Sequence, residues 1–300
     1  GYCLGKLTLD RSRTRVISHS HEMELGLRLS SKPDLVKVQL DLTDVVVCCA
    51  ESVRSNLIKM HHVNPEICRV ITEYIPYTSP QELLSLHCHD TSQSVVDKLR
   101  DLHEQGFFLF GFAGSPIDRK GFDLFPQLVK SCAQRFGAIP FKAVWVGCGP
   151  GSIAHRKAER DLRLLGVADH ALLLGSVSCG AAALRQLDAL TLLSREDPYP
   201  VVALEAGAMA IPTVCFRHSG GIADLAEQGY GVPIDYLDLD GFAAALTQLH
   251  RQPELRQALG KRFQEKVFRS NTVATQAAAI ANLIGGQGVR LPSPGPALHA

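Results

Sequence analysis

The chain has 300 residues, of which 46% are hydrophobic and 20% charged. That is globular composition with room for about two domains, and it excludes a disordered, collagen-like or coiled-coil chain. Basic and acidic side chains nearly cancel, leaving a net charge of +1 and no electrostatic footprint for nucleic acid or an anionic membrane. Gly1-Tyr2-Cys3 does not read as a secretory leader, and the uncharged stretch 270–289 carries too many Asn, Thr, Gln and Gly for a spanning helix. Nine cysteines are scattered without a C-x-x-C pair or zinc-ligand spacing, so a reducing, cytoplasmic setting is expected, with no metal site. His61-His62 reads as a solvated helix end.

In chain order, strands are predicted at 15–18, 44–49, 68–72, 107–112, 142–146, 171–174, 189–194 and 212–216. Most are unbroken Val/Leu/Phe runs, as strands buried on both faces of a parallel sheet are. Helical patterns fall between them, for example at 122–135, 152–165, 201–209 and 242–251. Strands alternating with helices predict an α/β fold of βαβ units, with ligands at the carboxyl ends of the strands. Three strand candidates occupy a first domain, 1–76, which is thin for an independent α/β unit and is expected to lack its first half. The stretch 77–104 breaks the rhythm and reads as a linker. A second domain, 105–269, holds five or six βα units. A C-terminal helix, 270–284, and a disordered tail, 285–300, complete the expected organisation.

Two strand-to-helix junctions carry candidate chemistry. In SREDPYPVVALEAGAMAIPTV (194–214), a charged loop meets a helix opened by Pro200. The free N–H groups of such a helix end form an anion site, here at Val201 and Val202. Asp197 and Glu205 stand beside it, and carboxylates accept hydrogen bonds from sugar hydroxyls. The same spacing also suits a bland reading, with Asp197 as a dipole partner and Glu205 as an exposed helix residue. In FGFAGSPIDRKGFDLF (110–125), Gly114 and Ser115 follow a strand, and Arg119-Lys120-Gly121 opens the next element. Two cations there can clamp a diphosphate, or merely decorate a solvated turn. The glycines match neither a dinucleotide fingerprint nor a Walker A loop. Further glycine turns follow at WVGCGPGS (145–152) and HSGGIADL (218–225).

Taken together, these segments resemble glycosyltransferase family 4, the retaining glycosyltransferases of the GT-B fold. RKGFDLF resembles the family's diphosphate loop, VWVGCGP its V-G-x-G-P turn, LLLGSV its segment beside the nucleobase, and SREDPYPVVALEA its acidic E-x7-E motif. SGGIADL resembles the G-G-x-x-E segment, and VISHSHE (16–22) and DVVVCCAESVRSNL (44–57) resemble segments of the first domain.

The resemblance implies two Rossmann-like domains with parallel sheets, and sugar transfer with retention from a nucleotide-sugar donor such as a UDP- or GDP-sugar. By that analogy Arg119 and Lys120 hold the diphosphate, Glu205 accepts from the ribose, and Asp197 accepts from the donor sugar. Ser115, Val177, Val201 and Val202 line the donor, and His21 faces the sugar from the opposite domain. No cofactor or metal is called for when cations and a helix end neutralise the diphosphate. The acceptor is a glycan, lipid or small molecule that the sequence does not specify, with peripheral membrane contact assigned to the absent N-terminal part. A non-catalytic nucleotide-binding module is the alternative. The sequence departs from the family pattern in having Asp197 as the first acid and Asp224 in place of Glu.

Overall fold

A computed structural model describes residues 8–30, 32–85 and 92–285. The first unit runs β1 (Ile17–Ser20), α1 (Glu24–Ser30), α2 (Pro33–Asp41), β2 (Val45–Cys48), α3 (Glu51–His61) and β3 (Cys68–Val70). Its strands pair in parallel in the order β1-β2-β3, with Ile17 opposite Val45 and Val46 opposite Cys68. Every residue of β2 is buried, which explains its unbroken apolar run. β1 extends past Ser18 into the polar His19-Ser20, beyond the predicted 15–18. The Ser18 hydroxyl is buried but paired with that of Thr43 at 2.6 Å, so the polar residue costs little inside.

The stretch 77–104 contains two helices, α4 (Pro80–Leu84) and α5 (Gln93–Glu104). Val96 and Leu99 of α5 are buried, and the helix packs on the second sheet. The second unit continues through β4 (Phe108–Ala113), α6 (Phe125–Phe136), β5 (Phe141–Val146), α7 (Ile153–Leu164), β6 (Ala171–Leu174) and α8 (Gly180–Leu184). Then come β7 (Ala189–Leu192), α9 (Val201–Ala208), β8 (Thr213–Phe216), α10 (Gly221–Leu225), β9 (Val232–Ile234), α11 (Leu239–Arg251) and α12 (Pro253–Ser270). The six strands are all parallel, in the order β6-β5-β4-β7-β8-β9. β9 was not predicted; it is three residues long and includes Pro233, tolerable because it lies at the sheet edge.

That order fixes where a ligand can bind. From β4 the chain winds one way through β5 and β6, then returns to β7 and winds the other way. The loops after β4 and β7 therefore diverge and leave a crevice at their carboxyl ends. Trp145, fully buried, supports this end of the sheet. Its ring centroid lies 4.7 Å from that of Phe112, 4.8 Å from Phe122 and 5.6 Å from Phe125, and its indole N–H donates to the Gly114 carbonyl at 3.0 Å.

The chain then returns to the first unit. The Ile75 amide donates to the Asn271 carbonyl at 2.9 Å, α13 (Val273–Gly285) follows, and Arg15 donates to the Leu283 carbonyl at 3.2 Å. Residue 285 thus closes a helix, and the rest of the expected tail, 286–300, lies outside the described residues, as do Cys3 and Cys88. Among the described residues no helix is long and apolar enough to cross a membrane.

Candidate functional site

The loop after β4 is shaped by its glycines and by the strand beside it. The Gly114 amide donates to the Val146 carbonyl at 2.8 Å, and Ser115 follows, exposed at the crevice rim. A 3-10 turn at Asp118–Lys120 ends at Gly121, whose φ of 74° lies in the left-handed region. A Cβ there would also run into the Leu193 carbonyl, so only glycine lets this loop lie against the one after β7.

The two loops are joined by main-chain and side-chain bonds. The Arg195 amide donates to the Arg119 carbonyl at 2.9 Å, and the Arg119 guanidinium donates to the Glu196 carbonyl at 3.0 Å. The Lys120 ammonium pairs with the Asp197 carboxylate, whose side chain is only 8% exposed. Ser194 donates to the same Asp197 oxygen at 3.3 Å, and the Asp197 amide donates to the Ser219 carbonyl at 2.6 Å. Arg195 points away from this group: its guanidinium forms a two-pronged pair with Asp123, both bonds 2.8 Å, and braces the loop from outside. The structure thus brings Arg119, Lys120 and Asp197 together, from predicted motifs 77 residues apart.

α9 starts beside them. Its N-cap, Pro200, has no side chain able to accept, so the first N–H groups, at Val201 and Val202, have no capping side chain. Val201 is exposed and Val202 half-buried. One turn further, Glu205 is partly buried, which rules out the bland reading of a freely exposed helix residue. Burial pushes its carboxyl above the ordinary range, and among the described residues no side chain is recorded bonding to it. The Tyr77 hydroxyl is pushed up by burial and, to a lesser degree, by the Glu205 charge. Half-buried Val177 packs against the core in the loop after β6, next to Ser178, whose amide donates to the Ser92 hydroxyl at 3.1 Å. A helix end with two cations, flanked by a desolvated carboxylate, can take a phosphorylated ligand that also carries hydroxyls.

His21, the site residue expected in the first unit, follows the end of β1. Its Nδ1 lies 2.6 Å from a Glu73 carboxylate oxygen, and its ring lies tilted by 44° against that of His19, with centroids 3.9 Å apart. Donor atoms of His19, His21 and Glu73 all lie within 4.8 Å of one another, a set whose chemistry could hold a divalent cation. The sequence showed no such set because Glu73 is far along the chain. The cysteines nearby are not candidate nucleophiles: burial pushes the Cys49 thiol up to about 12.

The sequence assigned no role to the other residues that tie the two units together here. The Glu196 carboxylate accepts from the Leu25 and Gly26 amides of the first unit at 2.8 and 2.7 Å. Asp224 accepts from the Ser52 amide at 3.1 Å. Asn271, fully buried, donates to the Glu73 carbonyl at 2.8 Å and to the Tyr199 hydroxyl at 3.2 Å. Gly220, with φ of 141°, leaves room for the Asp197 carbonyl.

With this geometry in place, comparison with known proteins gives a consistent picture. Residues 108–252 match the family model for glycosyl transferases group 1. The chain is 29% identical over 154 residues to an N-acetyl-alpha-D-glucosaminyl L-malate synthase of Bacillus anthracis, covering 50% of this chain and 39% of that protein. It is 32% identical over 139 residues to a glycogen synthase of Mycobacterium tuberculosis, covering 45% of this chain and 31% of that protein. The chain therefore spans less than half the length of these curated relatives. Among solved structures, Anabaena Alr3699/HepE in complex with UDP superposes with a TM-score of 0.74 at 17% identity, covering 91% of this chain and 72% of that one. The same protein has been solved with UDP-glucose. These likenesses bear out the expected α/β architecture of GT-B type with parallel sheets.

Proposed function

We propose that the protein, whose residues 108–252 match the family model for glycosyl transferases group 1, moves a sugar from a nucleotide-sugar donor to an acceptor hydroxyl. The observation that carries this reading is the crevice itself. The loops after β4 and β7 are tied together there by Arg119 on the Glu196 carbonyl and Lys120 on Asp197, and α9, whose N-cap Pro200 supplies no capping side chain, begins just after Asp197 with Glu205 one helical turn in. The donor diphosphate sits against Arg119, Lys120 and the amides of Val201 and Val202, which disperse the charge that builds on the leaving nucleoside diphosphate. Glu205 accepts from the ribose hydroxyls, and Ser115 and Val177 border the donor. Asp197, held beside Lys120, accepts from hydroxyls of the donor sugar.

His21 approaches the sugar from the first unit, with Glu73 on its Nδ1, so that the far ring nitrogen is left to face the substrate. Retention at the anomeric carbon, a UDP- or GDP-linked donor and a cytoplasmic location belong to this proposal. So do the absence of a required metal, a glycan, lipid or small-molecule acceptor, and peripheral membrane contact. The structural neighbour crystallised both with UDP and with UDP-glucose supports a uridine donor.

The test is a screen of UDP-, GDP- and ADP-sugars for release of nucleoside diphosphate. Release from one donor, lost in Lys120→Ala, supports the reading. Nucleotide binding without release from any donor favours a nucleotide-binding module instead.

A further inference from the structure

Helix N-termini leave N–H groups that need partners, and a helix normally supplies them from its own N-cap side chain. In the first unit α2 has no side-chain cap, its N-cap being Lys32, and two further helices lack one as well. The N-cap of α3 is Ala50, which has no capping atom. The chain entering α1 supplies no Ser, Thr, Asp or Asn at Met23, just before its first residue, Glu24. Both are capped from the second unit instead. Asp224 takes the Ser52 amide at the start of α3. Glu196 takes the Leu25 and Gly26 amides at the start of α1, one with each carboxylate oxygen, and is 8% exposed.

Glu196 differs from an ordinary interdomain contact in what else it holds. Its own carbonyl accepts from Arg119, and its neighbour Asp197 is paired with Lys120. On the other side, α1 begins just after the turn that carries His21. One residue therefore joins the cations of the second unit to the imidazole of the first. A separate tie completes the frame: Asn271 bridges the Tyr199 hydroxyl to the Glu73 carbonyl, and the Glu73 carboxylate meets His21.

We propose that Glu196 is a positioning residue whose carboxylate, by capping α1, fixes His21 at a set distance from Arg119 and Lys120. The inference rests on the donor-site reading above and extends it to a residue whose carboxylate is taken up by two amides of the first unit. A carboxylate suits the role because it is short, charged and able to accept from two successive amides at the positive end of a helix. Glutamine keeps the length and one acceptor but loses the charge and the second oxygen, so Glu196→Gln is the graded variant and Glu196→Ala the full deletion.

The experiment combines two measurements on the full chain. Amide hydrogen exchange reads the cap directly. Leu25 and Gly26 should exchange at least about tenfold faster in Glu196→Ala and by an intermediate factor in Glu196→Gln, with β4 and β5 amides unchanged. Donor turnover reads the consequence. The donor KM should stay within about threefold while kcat falls about tenfold or more in Ala and less in Gln, because the diphosphate contacts are intact and only His21 is misplaced. Asp224→Asn serves as a comparison, speeding exchange at Ser52 but not at Leu25 or Gly26. Unchanged exchange at Leu25 and Gly26 overturns the cap, and unchanged kcat with faster exchange overturns the positioning role. A wild-type chain that neither binds nor turns over any nucleotide-sugar overturns the donor reading itself, a result visible before any variant is made.

Discussion

Replacing Lys120 by alanine perturbs two things at once, and the structure allows them to be separated. The first is ligand affinity. A charge-assisted hydrogen bond to phosphate is worth roughly 1.5–3 kcal/mol, so nucleoside diphosphate binding should weaken about 10- to 150-fold. The second is stability. Lys120 and Asp197 are 18% and 8% exposed, so deletion of the lysine leaves a nearly buried carboxylate. Its remaining side-chain donor is the Ser194 hydroxyl at 3.3 Å. Leaving such a group short of a partner costs on the order of 1–3 kcal/mol. Asp197→Asn added to Lys120→Ala removes the stranded charge, so the double variant should recover much of the stability and none of the affinity. Urea denaturation and calorimetric titration with UDP, GDP and ADP read the two quantities independently. If Lys120→Ala binds the preferred nucleotide as tightly as the wild type, the ammonium does not touch the diphosphate and the clamp is wrong.

Three further perturbations follow from the geometry. Burial raises the Glu205 pKa in the folded chain, so its contribution to stability is largest below the unfolded carboxyl value and declines as pH rises through the raised one. Ribose hydroxyls favour the ionised carboxylate, so nucleoside diphosphate affinity should climb over that same window. Glu205→Gln should flatten the climb and lose more affinity for the nucleoside diphosphate than for inorganic diphosphate; equal losses would remove Glu205 from the ribose. Gly121→Ala places a Cβ at φ of 74° against the Leu193 carbonyl, and should destabilise by more than about 1 kcal/mol while displacing Lys120. An unaltered denaturation curve would contradict that. Asn271→Ala removes the donor shared by Thr72, Glu73 and Tyr199 and should cost on the order of 1–3 kcal/mol in the same assay, the buried Tyr199 hydroxyl being left short of a partner. A loss below a few tenths would mean the bridge is not needed.

What the sequence reveals is the part that depends on short spacing. The apolar runs of β2, β4 and β5 are buried on both faces, so their residues show the pattern without help from elsewhere. The start of α9 without a capping side chain is written in Pro200 and the residues after it, and Arg119-Lys120 sits where a strand gives way to a turn. Other features depend on distant partners and leave no local mark. β1 carries Ser-His-Ser, polar residues made tolerable only by Thr43 and the ladder to β2. α5 lies in a stretch with no strand signal, and its two buried residues, Val96 and Leu99, have meaning only against the second sheet. Glu196 reads as one member of a charged loop until α1 is brought to it, and Asp224 reads as a substituted motif residue until Ser52 is. An uncapped Ala50 at the start of α3 is the one local hint that a cap comes from afar.

The central claim is that the crevice between the ends of β4 and β7 binds a nucleoside diphosphate. The most direct test is calorimetric titration of the chain with UDP, GDP and ADP, alone and with excess inorganic diphosphate. The account predicts saturable one-to-one binding of one of the three, with competition from the diphosphate and loss of about tenfold or more in Lys120→Ala. No saturable heat with any of the three at millimolar concentration would contradict it.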